Sequence, residues 1–167
     1  MDCISVLDEV KQVFSFVDMP PQDEMVPSTP RTIESEEIRE DMEAYRGKEI
    51  TGEAIRTIQR YFPVLSAKAT RWILPHFLRY CLTPDAESDR RRQVESLIYA
   101  LSPEVEYVAD AAERFTLLNA AQIACLVHFL EQCLKDPYWV DAYPERILEG
   151  ILFLRRLLAH RYNPGQA

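Results

Sequence analysis

The sequence predicts an all-α protein, and three observations predict it. Apolar residues recur at helical spacing in every long segment, with no alternation of the kind that marks a strand. Only four glycines interrupt the 167 residues, which suits helices joined by short connections. One helical motif is also used twice: His76-Phe77-Leu78-Arg79-Tyr80-Cys81-Leu82 returns 52 positions later as His128-Phe129-Leu130-Glu131-Gln132-Cys133-Leu134, with five of seven positions identical. At 47% apolar content the chain can bury a real core, so a single domain over residues 1–167, a bundle of six or seven helices, is expected.

Cys3, Val6, Leu7, Val10, Val13, Phe14 and Val17 share one face and predict a first helix over 2–17. Pro20 and Pro21 stop it. Residues 19–32 carry four prolines, ending with Pro27 and Pro30, and read as an extended connection, either a loop or a strap over the core. A second helix is expected from Ile33 to Arg46, with Gly47 at its end. Thr51 caps a third to about Phe62, with Ala54, Ile55 and Ile58 inside. Ser66 caps a fourth to Leu82, whose inner stripe is Ala69, Trp72, Ile73, His76, Phe77 and Tyr80. Pro75 falls on its narrow polar edge, where water can satisfy the Arg71 carbonyl and a kink is expected. Asp89–Leu101 is the next helix. Residues 104–114 read equally as a short helix or a loop. Thr116 opens a long apolar helix to Lys135, which Asp136-Pro137 ends. Asp141 and Pro144 open the last, with Ile147, Leu148, Ile151, Leu154 and Leu158 inward and Asn163-Pro164-Gly165 closing it.

The repeat extends beyond seven residues. Leu65–Leu82 aligned with Leu117–Leu134 gives eight identities in eighteen. Two related helical hairpins, 66–101 and 117–158, packed beside an N-terminal helical third, would explain this. Chance likeness between buried helices drawing on few residue types is the alternative.

The formal charge of −8 is unevenly placed. Residues 1–60 hold 14 acids against 7 bases, net −7, whereas 61–167 hold 13 against 12. Acidity on that scale opposes nucleic acid and anionic membranes as partners. The start, Met1-Asp2-Cys3-Ile4, lacks the basic and apolar blocks of a signal peptide, and no long uncharged apolar run suggests a membrane span. Four cysteines inside helical patterns suit buried thiols in a reducing cytoplasm.

His76, Cys81, His128 and Cys133 have the residue types of a zinc site. Positions five apart on a helix are rotated by about 140°, so each His and its Cys point apart and packing is the expected role. No Gly-x-Ser-x-Gly elbow or glycine-rich phosphate loop occurs, and no cofactor is expected. Arg90-Arg91-Arg92 opens a helix, where an anion or the acids Asp85, Glu87 and Asp89 could meet it. Tyr138-Trp139 suits a core plug or an interface anchor. The acidic segment 33–60 reads as a solvated face, a site for a divalent cation or acid/base pair, or a docking surface: Glu36, Glu37, Glu40, Asp41 and Glu43 repel one another, and a basic partner would relieve that strain.

Several motifs carry a resemblance. Phe62-Pro63-Val64-Leu65-Ser66, Trp72-Ile73-Leu74-Pro75-His76-Phe77-Leu78, Ser96-Leu97-Ile98-Tyr99-Ala100-Leu101-Ser102-Pro103 and Phe115-Thr116, with Gly47-Lys48 in the same frame, resemble a family of small bacterial helical proteins of unknown function, over roughly 4–135. Members often carry Cys or His before the acidic helix, where this chain has Thr32, Ile33 and Ser35. The resemblance implies a bacterial, all-helical protein and no particular activity. The functional expectation is a non-enzymatic protein-binding module, such as an immunity protein or antitoxin covering a basic toxin with its acidic N-terminal third. The alternatives are a metal-assisted enzyme using the acidic helix or the His/Cys set, and a structural subunit of a larger assembly.

Overall fold

A computed structural model describes residues 5–27, 32–83 and 87–162, with the side chains of 87–90 and 162 excepted. Cys3, Pro30, the Arg90 side chain and the Asn163-Pro164-Gly165 stop lie outside the described residues. Those described form nine α-helices and no strand: α1 Val6–Val13, α2 Ile33–Glu43, α3 Gly52–Ile58, α4 Ala67–Leu82, α5 Glu87–Leu101, α6 Val108–Arg114, α7 Ala120–Cys133, α8 Pro137–Ala142 and α9 Pro144–Tyr162. The all-α expectation holds. The count exceeds six or seven because residues 104–114 supply α6 after a 3-10 turn at Val105–Tyr107, and Asp136-Pro137 starts a helix as well as ending one. The Asp136 side chain accepts from the Tyr138 amide at 2.9 Å, and Pro137 takes the first helical position, where no amide bond is lost.

Caps set most boundaries. Thr51 and Ser66 accept from the amides of Ala54 and Ala69, as expected. The long apolar helix begins later than Thr116, because Asn119 and Gln122 form a reciprocal capping box. The Thr116 hydroxyl instead donates to the Glu113 carbonyl. The first helix ends at Val13, four residues short of expectation. Phe14 is extended and buried, and its neighbours continue as a strap.

That strap settles the character of residues 19–27. Met25 and Val26 are buried, the Ser66 amide donates to the Met25 carbonyl at 3.0 Å, and the Ser66 hydroxyl donates to the Glu24 carbonyl at 2.5 Å. The cap of α4 therefore also pins the strap. Arg46 clasps its other end through the Pro20 carbonyl at 2.9 Å. Gly47 follows with φ +69°, the left-handed conformation that glycine adopts without cost.

One continuous core joins these elements. α4 packs on α5 and α7 on α9, so each of the two similar segments is a packed helix pair. α5 meets α9, joining the pairs, and α1 lies against both α4 and α7. Ile147, Ile151 and Leu154 form the inner face of α9, but Leu148 turns to solvent, correcting its inward assignment. Gly150 lets α9 come close: a Cβ there would meet Ser102 Oγ at 2.5 Å and Leu130 Cδ1 at 2.8 Å. Pro75 is buried inside a continuous α4, correcting its placement on a wet edge. The arriving neighbours cover that edge, which helical periodicity in one segment cannot register.

Candidate functional site

The acidic segment is less bare than its composition suggests. A capping box between Thr32 and Ser35 starts α2 and sets the rotation of its carboxylates. Ile38 and Met42 face the core, carrying Arg39 inward with them to 2% exposure. Its guanidinium reaches Glu36 at 2.7 Å and the Pro27 carbonyl at 3.3 Å. Glu43 makes a two-pronged pair with Arg46, which holds its carboxyl below the usual carboxylate range. Asp41 accepts from the Tyr61 hydroxyl and lies 3.5 Å from Arg60. That hydrogen bond pushes the Tyr61 pKa up, because ionising the phenol would place two anions together. Of the five acids singled out in the sequence, Glu36, Asp41 and Glu43 thus meet groups of their own chain. Glu37 and Glu40 are exposed and form no ion pair among the described residues. Glu34, at the start of α2, joins them.

Beside α2 the fold opens a groove of about 540 Å³. Val26, Ile38 and Leu65 form its apolar floor. Glu34 stands on one side, and Asp110 and Glu113 of α6 on the other. Arg114 lines it too, but its guanidinium donates to the Pro63 carbonyl at 2.7 Å, while its Nε is buried without an acceptor. Burial pushes the Arg114 pKa down, and Asp110 partly offsets this. Sequence reasoning missed Asp110 and Glu113 because they fall in a stretch of ambiguous pattern, 76 or more positions from Glu34. Their i, i+3 spacing on one helix was the available signal.

The His/Cys set does not gather. His76 packs its ring on Phe16, centroids 4.6 Å apart. His128 places Nδ1 2.9 Å from both carboxylate oxygens of Glu9. Both histidines therefore face the N-terminal elements, while Cys81 and Cys133 line one cavity of about 260 Å³ on the side of α5 and α8. Burial pushes the Cys125 and Cys133 thiols up to about 12, so both are protonated at neutral pH. No cluster of three or more metal-type side chains occurs among the described residues. Trp139 is buried as a plug on that cavity, whereas Tyr138 is exposed with Arg91 over its ring at 4.5 Å.

A larger groove, about 1050 Å³, separates the 105–108 segment from α9. Val105, 94% exposed, and Leu152 stand at it. Arg146 there pairs with Glu104 at 3.2 Å. No described helix is long and apolar enough to cross a membrane.

These features define an all-helical single-domain protein with two grooves that carry carboxylates: the larger also holds Arg146, Arg156 and His160, whereas the one beside α2 holds Arg114 alone of the described basic residues. Residues 23–137 match the model of a family of unknown function (DUF6714), and the chain belongs to that family. The match takes in α2 to α7 and the acidic groove, and leaves α1 and α9 outside. No curated protein and no solved structure matches the chain.

Proposed function

We propose that this chain is a non-enzymatic module that binds a basic protein partner through its acidic N-terminal third, as an immunity protein or antitoxin covers the cationic active site of a toxin. The observation that carries this is the outward row Glu34, Glu37 and Glu40, which forms no ion pair among the described residues while the neighbouring Glu36, Asp41 and Glu43 do. Carboxylates left unscreened on one helix repel, and a cationic surface gains by neutralising them. Such complementarity raises the association rate and makes it salt-dependent.

The test is co-expression with candidate basic partners, starting with the product of the adjacent reading frame, followed by affinity purification. A stoichiometric complex that weakens with salt and is lost on combining Glu34→Lys, Glu37→Lys and Glu40→Lys is the expected result. A complex indifferent to that triple reversal would sink the acidic-face reading.

A further inference from the structure

We infer that the groove between α2 and α6 seats a basic amphipathic segment of the partner, with one apolar side chain in the groove and Lys or Arg on either side of it. This rests on the proposed binding of a basic protein and says where and how that protein is gripped. The floor is already dry: Val26, Ile38 and Leu65 are buried. Its lip is not. Val64, lining the groove, is 45% exposed, and Ile33, between the groove residues Thr32 and Glu34, is 82% exposed. An aliphatic side chain laid between them would cover apolar surface that the fold itself leaves in water.

The charges select the flanks. Glu34 stands on α2; Asp110 and Glu113 stand one turn apart on α6. None forms an ion pair among the described residues. Among the described lining residues three carboxylates thus face one guanidinium, and that guanidinium is held on the Pro63 carbonyl. An acidic or phosphorylated segment is repelled. Cations on both sides of an apolar residue satisfy both walls, which a single small cation cannot do. Helix-in-groove recognition of this kind combines apolar anchors with flanking charges.

The probe is a labelled synthetic peptide of about 12 residues, long enough for three helical turns, with a central Leu and Lys one turn to each side. Titration with the full chain, followed by anisotropy, should show saturable binding that weakens with salt. Replacing the central Leu by Ala should weaken it on the order of tenfold. Asp110→Lys with Glu113→Lys should weaken it by a similar factor, roughly tenfold. Val64→Ser, at an already exposed position, provides a variant free of charge effects and should also weaken it. Asp141→Lys with Glu145→Lys, two exposed acids outside the groove lining, alters the net charge as much and should change it little.

No binding at about 1 mM peptide, where even weak sites fill, would overturn the inference. So would equal binding of the Ala peptide, or spermidine binding as tightly as the Leu peptide. A basic partner held equally well by the native chain and by the Asp110/Glu113 variant would also overturn the groove, yet leave the module reading intact. Loss of no complex in either variant set would overturn both.

Discussion

Gly150 offers the sharpest test of how the two helix pairs are joined. Replacing it with Ala removes the helix penalty of glycine, a gain of about 1 kcal/mol at a free helical site. Here the new methyl would meet Ser102 Oγ at 2.5 Å, Leu130 Cδ1 at 2.8 Å and the Leu101 carbonyl at 3.1 Å. Overpacking of this kind costs about 1–3 kcal/mol. The expected net is a loss of about 1 kcal/mol, or roughly 3 °C in Tm for a chain of this size. Ser102 sharpens the test, because its buried hydroxyl has no hydrogen-bond partner among the described residues. Ser102→Ala should therefore stabilise, by about 1 kcal/mol, through relief of an unsatisfied group. It also removes the closest obstacle, leaving mainly a leucine methyl that can give way. In that background Gly150→Ala should be neutral or stabilising, and the double-mutant coupling should be about 1 kcal/mol. Urea unfolding of the four proteins, followed by circular dichroism, measures it. Gly150→Ala raising stability in the native background, or strict additivity, would refute the close crossing of α9 over Ser102 and Leu130.

Further outcomes follow from the same geometry. Ser66→Ala removes a cap worth about 1 kcal/mol and the hydrogen bond holding the strap, worth about 1 kcal/mol, so urea unfolding should show a larger loss than for Thr51→Ala. Burial, with Arg79 nearby, holds the folded pKa of His76 below its ordinary 6.5. The unfolded chain therefore binds the extra proton first, and the His76 contribution is full above that value and lost as pH falls through the lower folded one. His76→Phe keeps the ring contact with Phe16 and should flatten the fall of Tm on that acid limb. Cys125 and Cys133, with pKa values near 12, should resist iodoacetamide at pH 8 in the native state and react only on unfolding, as mass spectrometry would show.

Local chemistry made much of the fold legible. The caps at Thr51 and Ser66 and the inner stripe of α3 follow from spacing within one segment, and the two helix pairs from the likeness between two segments. The errors share a cause. Thr116 is the first hydroxyl before the apolar run and reads as its cap, whereas Asn119 and Gln122, three residues on, close the box that starts α7. Asp136-Pro137 reads as a stop, yet the same pair is a cap and a first helical residue. The burial of Pro75, the outward turn of Leu148 and the early end of α1 depend on which neighbour arrives. The candidate site divides similarly. That 33–60 is acidic is plain in the sequence, but which acids are spent on Arg39, Arg46 and Tyr61 depends on helix rotation. The groove needs α6 brought across to α2.

The seat of α1 across α4 and α7 has a practical consequence for anyone trimming the chain. The family-matched segment, 23–137, looks like a natural unit to express. It would strip α7 on two sides at once. Val10 and Phe14 would leave one side, taking with them the Glu9 carboxylate that His128 contacts. Ile147, Ile151 and Leu154 would leave the other. A helix that supplies Ile123, Leu126, Phe129 and Leu130 to the core would then meet water over both flanks. The expected product is an aggregate, and the smallest soluble version retains both outer helices. Ancestry and foldability have different borders in this molecule.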